Sequence, residues 1–210
     1  MLKHTLVLVG LTLSFSLNAA TIFSLGNVVS NADHSATFDT LTANYIDLST
    51  YSEDSISITA LNYSYVGFSA FSPIDSRTTG FYYSSGGDAS YVTIKLEDGT
   101  EFSSIEFLLG DGFSKETTNL RWESFLDGVL VSSGLKLNVE KGSIVGWTDI
   151  GGIDELRVAA GYYDPGFGNP QAIAIDDLRL QVASVPVPAA SCLFISALLS
   201  LLGKKRIACR

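Results

Sequence analysis

The chain has two cysteines in 210 residues, Cys192 and Cys209, and both lie close to its C-terminus. Residues 21–183 contain none. That stretch can form no disulfide, no thiolate metal site and no cysteine nucleophile. Histidine is equally scarce, with His4 and His34 alone. Zinc sites built from spaced His and Cys are excluded. A Ser-His-Asp triad would have to use His34, and no Gly-x-Ser-x-Gly turn presents a serine to it. Positive charge is the third shortage. Lys3, Lys204, Lys205, Arg206 and Arg210 fall outside residues 21–183, which leaves eight Lys and Arg against twenty-two Asp and Glu inside. Nucleic acid is disfavoured as a partner, because phosphate contacts need Lys and Arg.

Two further motifs are incomplete. Gly110-Asp111-Gly112 has neither the Gly-Lys-Ser/Thr ending nor the helix of a phosphate loop. Asp149-Ile150-Gly151-Gly152-Ile153-Asp154 lacks the spacing and terminal Glu of a calcium loop.

What the chain does have stands first at its ends. Met1-Leu2-Lys3-His4 gives a short positive start, Leu6 to Leu17 is mostly apolar, and Asn18-Ala19-Ala20 supplies small residues. This three-part order predicts a signal peptide over 1–20, removed by signal peptidase after Ala19 or Ala20. At the other end, residues 184–188 carry Pro186 and Pro188. Residues 189–203 are largely apolar, and residues 204–210 are basic. Fifteen residues of helix reach about 22 Å, short of the roughly 30 Å hydrocarbon core. The segment 189–203 therefore predicts a short transmembrane helix with a cytoplasmic basic tail.

Between the ends, alternation replaces helical periodicity. Val92, Ile94 and Leu96 face one way while Thr93, Lys95 and Glu97 face the other. Leu120 and Trp122 alternate with Arg121 and Glu123. Leu135, Leu137 and Val139 alternate with Lys136, Asn138 and Glu140. Apolar or alternating runs also cover 55–61, 63–71, 81–83, 153–159 and 172–182. Asp98-Gly99 and Asp127-Gly128 read as hairpin turns. About nine or ten short strands with Gly, Asp and Ser turns predict an all-β fold. We expect one domain over 21–183, an antiparallel two-sheet jelly-roll-like sandwich.

The last predicted strand changes parity. Ile173 and Ile175 share one face, and Leu178, Leu180 and Val182 share the other. The switch falls at Asp176-Asp177, which predicts a bulge there. Two carboxylates among apolar residues need partners. Asp176 and Asp177 are therefore candidate ligands of a structural Ca²⁺, with loop 161–171 supplying carbonyls; the alternative is hydrogen bonding to turn N–H groups. Tyr82, Tyr83, Tyr162 and Tyr163 are candidates for stacking on sugar rings, with edge packing as the alternative.

Val185-Pro186-Val187-Pro188-Ala189-Ala190, the apolar run to Leu202 and Gly203-Lys204-Lys205-Arg206 together resemble the PEP-CTERM sorting signal. The middle motif position is Val187 where the family name has Glu. The resemblance implies an exported protein of a Gram-negative, exopolysaccharide-making bacterium, handled by an exosortase-type sorting enzyme. It assigns Val185, Pro186, Val187, Pro188, Lys204, Lys205 and Arg206 to the sorting motif. It also implies an inner-membrane or periplasmic precursor and a mature form at the cell surface or in the matrix. The domain is similar to the jelly-roll sandwiches that precede such tails, and Ala172 to Leu180 is similar to the final strand of many carbohydrate-binding sandwiches. With no catalytic constellation legible, we expect a non-enzymatic surface or matrix protein with extracellular polysaccharide as partner. A carbohydrate-active hydrolase or lyase is the alternative, and a purely structural surface protein is a third.

Overall fold

The structure, a computed structural model, describes residues 20–39, 50–60, 80–83, 91–110, 116–161 and 172–184. The strands among them, in chain order, are β1 Ile22–Leu25, β2 His34–Ala36, β3 Thr50–Glu53, β4 Ile56–Ala60, β5 Gly80–Tyr83 and β6 Val92–Leu96. They continue with β7 Phe102–Gly110, β8 Thr117–Leu126, β9 Val129–Glu140, β10 Ser143–Ile153, β11 Glu155–Gly161 and β12 Ala172–Val182. The predicted signal peptide, sorting motif, membrane segment and basic tail lie outside the described residues, as do the 63–71 run and Tyr162 and Tyr163.

The strands form two antiparallel sheets. The first runs β1-β10-β7-β12, and β2 and β5 share the remaining edge of β12. The second runs β3-β4-β6-β11-β8-β9. From β5 onward the order is that of a jelly roll. Strands β5, β12, β7 and β10 lie side by side in one sheet, and β6, β11, β8 and β9 in the other. The chain thus changes sheet repeatedly, as the double Greek key of a jelly roll requires. Strands β1 and β2 extend the first sheet, and the β3–β4 hairpin extends the second.

Alternation places the core. Val92, Ile94 and Leu96 of β6 are buried inward while Lys95 is exposed. Ile105, Phe107 and Leu109 answer them from β7, with Leu156 and Val158 from β11 and Leu178 and Leu180 from β12. Trp147 is wholly buried at one end of this core. Phe107 and Phe23 each lie 5.5 Å from its ring, and Trp122 lies 6.1 Å away. Phe23 stacks on Trp122 at 4.6 Å. Each such ring buries a large apolar area, which helps hold a domain that has no cysteine.

Local turn chemistry agrees with the sequence in one place and misleads in another. Asp127-Gly128 joins β8 to β9 with both φ angles positive, 51° and 74°, as a two-residue hairpin demands. Asp54-Ser55 does the same between β3 and β4, at 46° and 64°. Asp98-Gly99, also expected to be a hairpin, is not one. A tight turn does form there, with the Gly99 N–H donating to Leu96 O at 3.0 Å. The chain then crosses from β6 in the second sheet to β7 in the first. The run 153–159 is likewise two elements. Ile153 closes β10, Asp154 turns the corner, and β11 begins in the other sheet.

The parity switch in β12 has its structural counterpart. Asp176 pairs with Leu108 and Arg179 with Glu106, three steps on one strand against two on the other. Asp177 takes φ 45°. The bulge lets Ile173, Ile175, Leu178 and Leu180 all reach the core.

Candidate functional site

The two outer faces of the sandwich differ. Residues 26–33 run from β1 to β2 across the outer face of the first sheet, as a strap. Gly26 donates its N–H to Ile144 O at 2.8 Å. Val28 packs on Gly146, where a Cβ would sit 2.5 Å from Val28 Cγ2. The N–H groups of Val28 and Val29 both donate to Glu106 Oε2, at 2.5 and 2.7 Å. Asp33 donates its N–H to Leu180 O at 2.9 Å and accepts the Val182 N–H at 2.8 Å. Glu106 is 2% exposed, and its other oxygen accepts from Arg179 at 2.9 Å. A buried carboxylate is tolerated there because three donors meet at it. A cleft of about 430 Å³ opens beside the strap, with Asn27, Ser35 and Thr37 on its walls. Its charged pair, Glu106 and Arg179, is occupied in holding the strap down.

The outer face of the second sheet has no such cover among the described residues. The strand register lays out its side chains in rows. One row runs Ser52, Ser57, Lys95, Glu155, Phe125. The next runs Thr50, Thr59, Thr93, Arg157, Glu123, Ser133. Beyond it Ala159 pairs with Arg121 and Arg121 with Leu135. Neighbouring positions in a row are about 5 Å apart.

A depression of about 300 Å³ lies at the centre, lined by Ser57, Thr59, Thr93, Lys95, Glu155 and Arg157. The Glu155 side chain is 8% exposed and forms ion pairs with both Lys95 and Arg157. The Arg157 guanidinium lies 4.2 Å from the centre of the Phe125 ring, which fixes its plane. Lys95 is half exposed. Thr93 is 7% exposed, and its hydroxyl has no hydrogen-bond partner among the described residues. At the margin Tyr91 donates its hydroxyl to Glu123 Oε1 at 3.1 Å. Burial, and then the Glu123 charge, push the Tyr91 phenol up to about 12. It therefore stays a donor across the physiological range. The surface can do what a hydroxyl-rich ligand requires: it offers hydroxyls, an ammonium, a guanidinium and an aromatic ring on one open plane.

The residues singled out from sequence fall elsewhere. At the bulge, Asp176 is buried and its Oδ1 accepts the Asp177 N–H at 2.8 Å. This is the turn-type bonding set against the metal. Among the described residues no three His, Cys, Asp or Glu side chains converge as a metal site, and loop 162–171 lies outside them. Asp149 of the incomplete calcium loop is buried, accepting from Thr21 Oγ1 and from the Gly151 N–H at 2.8 Å each. His34 Nδ1 stands 3.8 Å from Asp54 Oδ1, beyond hydrogen-bond reach. Tyr82 and Tyr83 are on β5, beside β12. The cluster of Lys95, Glu155 and Arg157 was not singled out beforehand. Its signal was the set of outward polar positions in each alternating strand.

No family model and no curated protein matches the chain. Among the solved structures of similar shape are carbohydrate-binding modules. A family 29 module from Piromyces equi is 8% identical over 77% of this chain and 91% of its own, with a TM-score of 0.42. A family 29 module complexed with cellulohexaose is 11% identical over 72% and 94%, TM-score 0.41. The family 32 module of Clostridium perfringens NanJ, in complex with galactose, is 16% identical over 63% and 97%, TM-score 0.39. At these identities the likeness assigns no ligand and no binding residue to this chain.

Proposed function

We propose that residues 21–183 form an exported, non-enzymatic surface or matrix domain that binds polysaccharide on the outer face of its second sheet. One observation carries the reading: one sandwich face is strapped over, and the other, among the described residues, presents an open polar plane several strands wide. A plane suits a chain of sugar rings better than a single small substrate, which needs a deep enclosing pocket. Glu155 is committed to two cations and Glu123 to Tyr91, so neither stands as a free acid or base.

The ends of the chain supply the address in this reading. Signal peptidase removes residues 1–20. Val185, Pro186, Val187 and Pro188, with Lys204, Lys205 and Arg206, present the precursor to an exosortase-type enzyme. The support is the order of the three tail segments and the positive charge on the same side as Lys3.

Affinity electrophoresis of the full chain in mild detergent, through gels containing a panel of polysaccharides, tests the binding. Retardation by at least one polymer without release of new reducing ends is expected. Release of reducing ends would support the hydrolase or lyase instead. Retardation by none would leave the purely structural protein.

A further inference from the structure

We propose that the depression on the second sheet takes an anionic sugar, a uronate or a sulfated ring, whose negative group lies between Lys95 and Arg157. This rests on the reading of that face as the polysaccharide surface and adds the chemistry of the sugar.

The first support is where the positive charge goes. The domain has eight Lys and Arg against twenty-two Asp and Glu. Its described cations are Lys95, Arg121, Lys136, Lys141, Arg157 and Arg179. Three of them, Lys95, Arg121 and Arg157, share the described rows of this one face with Glu123 and Glu155. An anion is repelled by the molecule as a whole and attracted here.

The second support is how the cations are held. Glu155 is buried beneath Lys95 and Arg157 and binds both. One carboxylate cannot neutralise two cations. It keeps them side by side; with Glu123 opposite Arg157 as the second carboxylate, Arg121 brings these rows to three cations against two carboxylates. Phe125 fixes the guanidinium plane from the other side. A planar, oriented guanidinium beside an ammonium is a receptor for a carboxylate or sulfate group.

The third support is independent of charge. Thr93 lies across the strand pair from Arg157 and two residues from Lys95. It is more than nine-tenths buried, it lines the depression, and its Oγ1 has no partner among the described residues. A buried hydroxyl left unpaired is unfavourable. An oxygen of a ligand seated between Lys95 and Arg157 would satisfy it. Ser57 and Thr59 stand next to it for the ring hydroxyls.

The test uses the full chain in mild detergent and four polymers: polygalacturonate, its carboxyl-reduced form, dextran sulfate and dextran. We expect polygalacturonate or dextran sulfate to bind at least about tenfold more tightly than its uncharged counterpart, with affinity falling as salt rises; which of the two binds identifies carboxylate or sulfate. Lys95→Gln and Arg157→Gln should each weaken that binding roughly tenfold. Thr93→Val should weaken it several-fold while the free protein melts no lower, because an unsatisfied hydroxyl has gone. If Arg157→Gln fails to fold, Lys95→Gln on its half-exposed side chain carries the test. Equal, salt-insensitive binding of a charged polymer and its uncharged counterpart would overturn the anionic proposal and leave polysaccharide binding standing. Binding of none of these four, with retardation by another neutral polymer, would do the same. No retardation by any polymer would overturn both.

Discussion

At the scale of single residues, several carboxylates are spent on backbone N–H groups. Glu106 gathers two strap N–H groups, Asp33 ties the strap to β12, and Asp176 holds the bulge beside it. Of these, Asp176 is the one whose sequence setting, acidic among apolar neighbours, made it a candidate site residue. The bonds described for them satisfy backbone donors the sheets leave over. Asp98 shows the same habit at the surface. The Thr100 N–H, then its side chain, hold its carboxyl below the ordinary value. Tyr91 is different, because its proton is the part that matters. Its phenol is raised from 10.0 to about 12, by burial first and by Glu123 second. Below about pH 10 the phenol is protonated in both folded and unfolded chains, and its contribution to stability is fully present. Between about pH 10 and 12 the unfolded chain loses that proton first, so this contribution falls as pH rises. We expect urea midpoints to drop across that window, and to drop less in Tyr91→Phe. Equal drops in the two proteins would remove Tyr91 from the account.

At the scale of elements, strand alternation was legible because each sheet has one wet and one dry face. Thr93 and Lys95 against Val92, Ile94 and Leu96 is enough to say which side chains point out. The neighbours of those outward residues were not legible. Glu155 meets Lys95 on one side and Phe125 on the other because jelly-roll closure brings β6, β11 and β8 together. No local signal encodes that register. The same gap explains Asp98-Gly99, since one tight turn serves a hairpin and a crossing between sheets equally well. β9 shows what an edge needs. It is twelve residues long, exposes Val129, Leu130, Leu135 and Leu137, and breaks its register twice, with Asn138 at φ 53°. Such breaks discourage strand addition along an edge. Gly134, between them, is where the Trp122 indole crosses β9. A Cβ there would lie 2.1 Å from Trp122 Cζ2, and a ring packed on Phe23 has no room to retreat. Gly134→Ala should therefore cost about 1–3 kcal/mol, read from urea melts by tryptophan fluorescence, with a changed near-ultraviolet dichroism. An unchanged melt would mean that the indole does not pack against that glycine.

At the scale of the whole molecule, a cysteine-free acidic sandwich sits between two ends that read as instructions for export. The ends are the part of the sequence that needs no tertiary structure to be read, because charge and hydropathy along the chain carry their meaning. They also make the sharpest claim about the intact protein. If residues 185–210 are a processed signal, charge and proline should fail in different ways. Neutralising Lys204, Lys205 and Arg206 removes the charge that holds the segment on the cytoplasmic side. Unprocessed precursor should then appear in the periplasm or the medium. Replacing Pro186 and Pro188 with Ala leaves hydropathy and charge nearly intact but permits helix to extend toward the domain. A plain C-terminal anchor would tolerate that change, keeping its mass and its place in the membrane. A sorting signal would not, and the precursor should accumulate in the membrane, heavier than the normal product by the uncut tail. Intact masses of the wild-type and Pro-to-Ala proteins separate the two. Identical masses, with Arg210 still present in the wild type, would leave the domain tethered by a simple anchor.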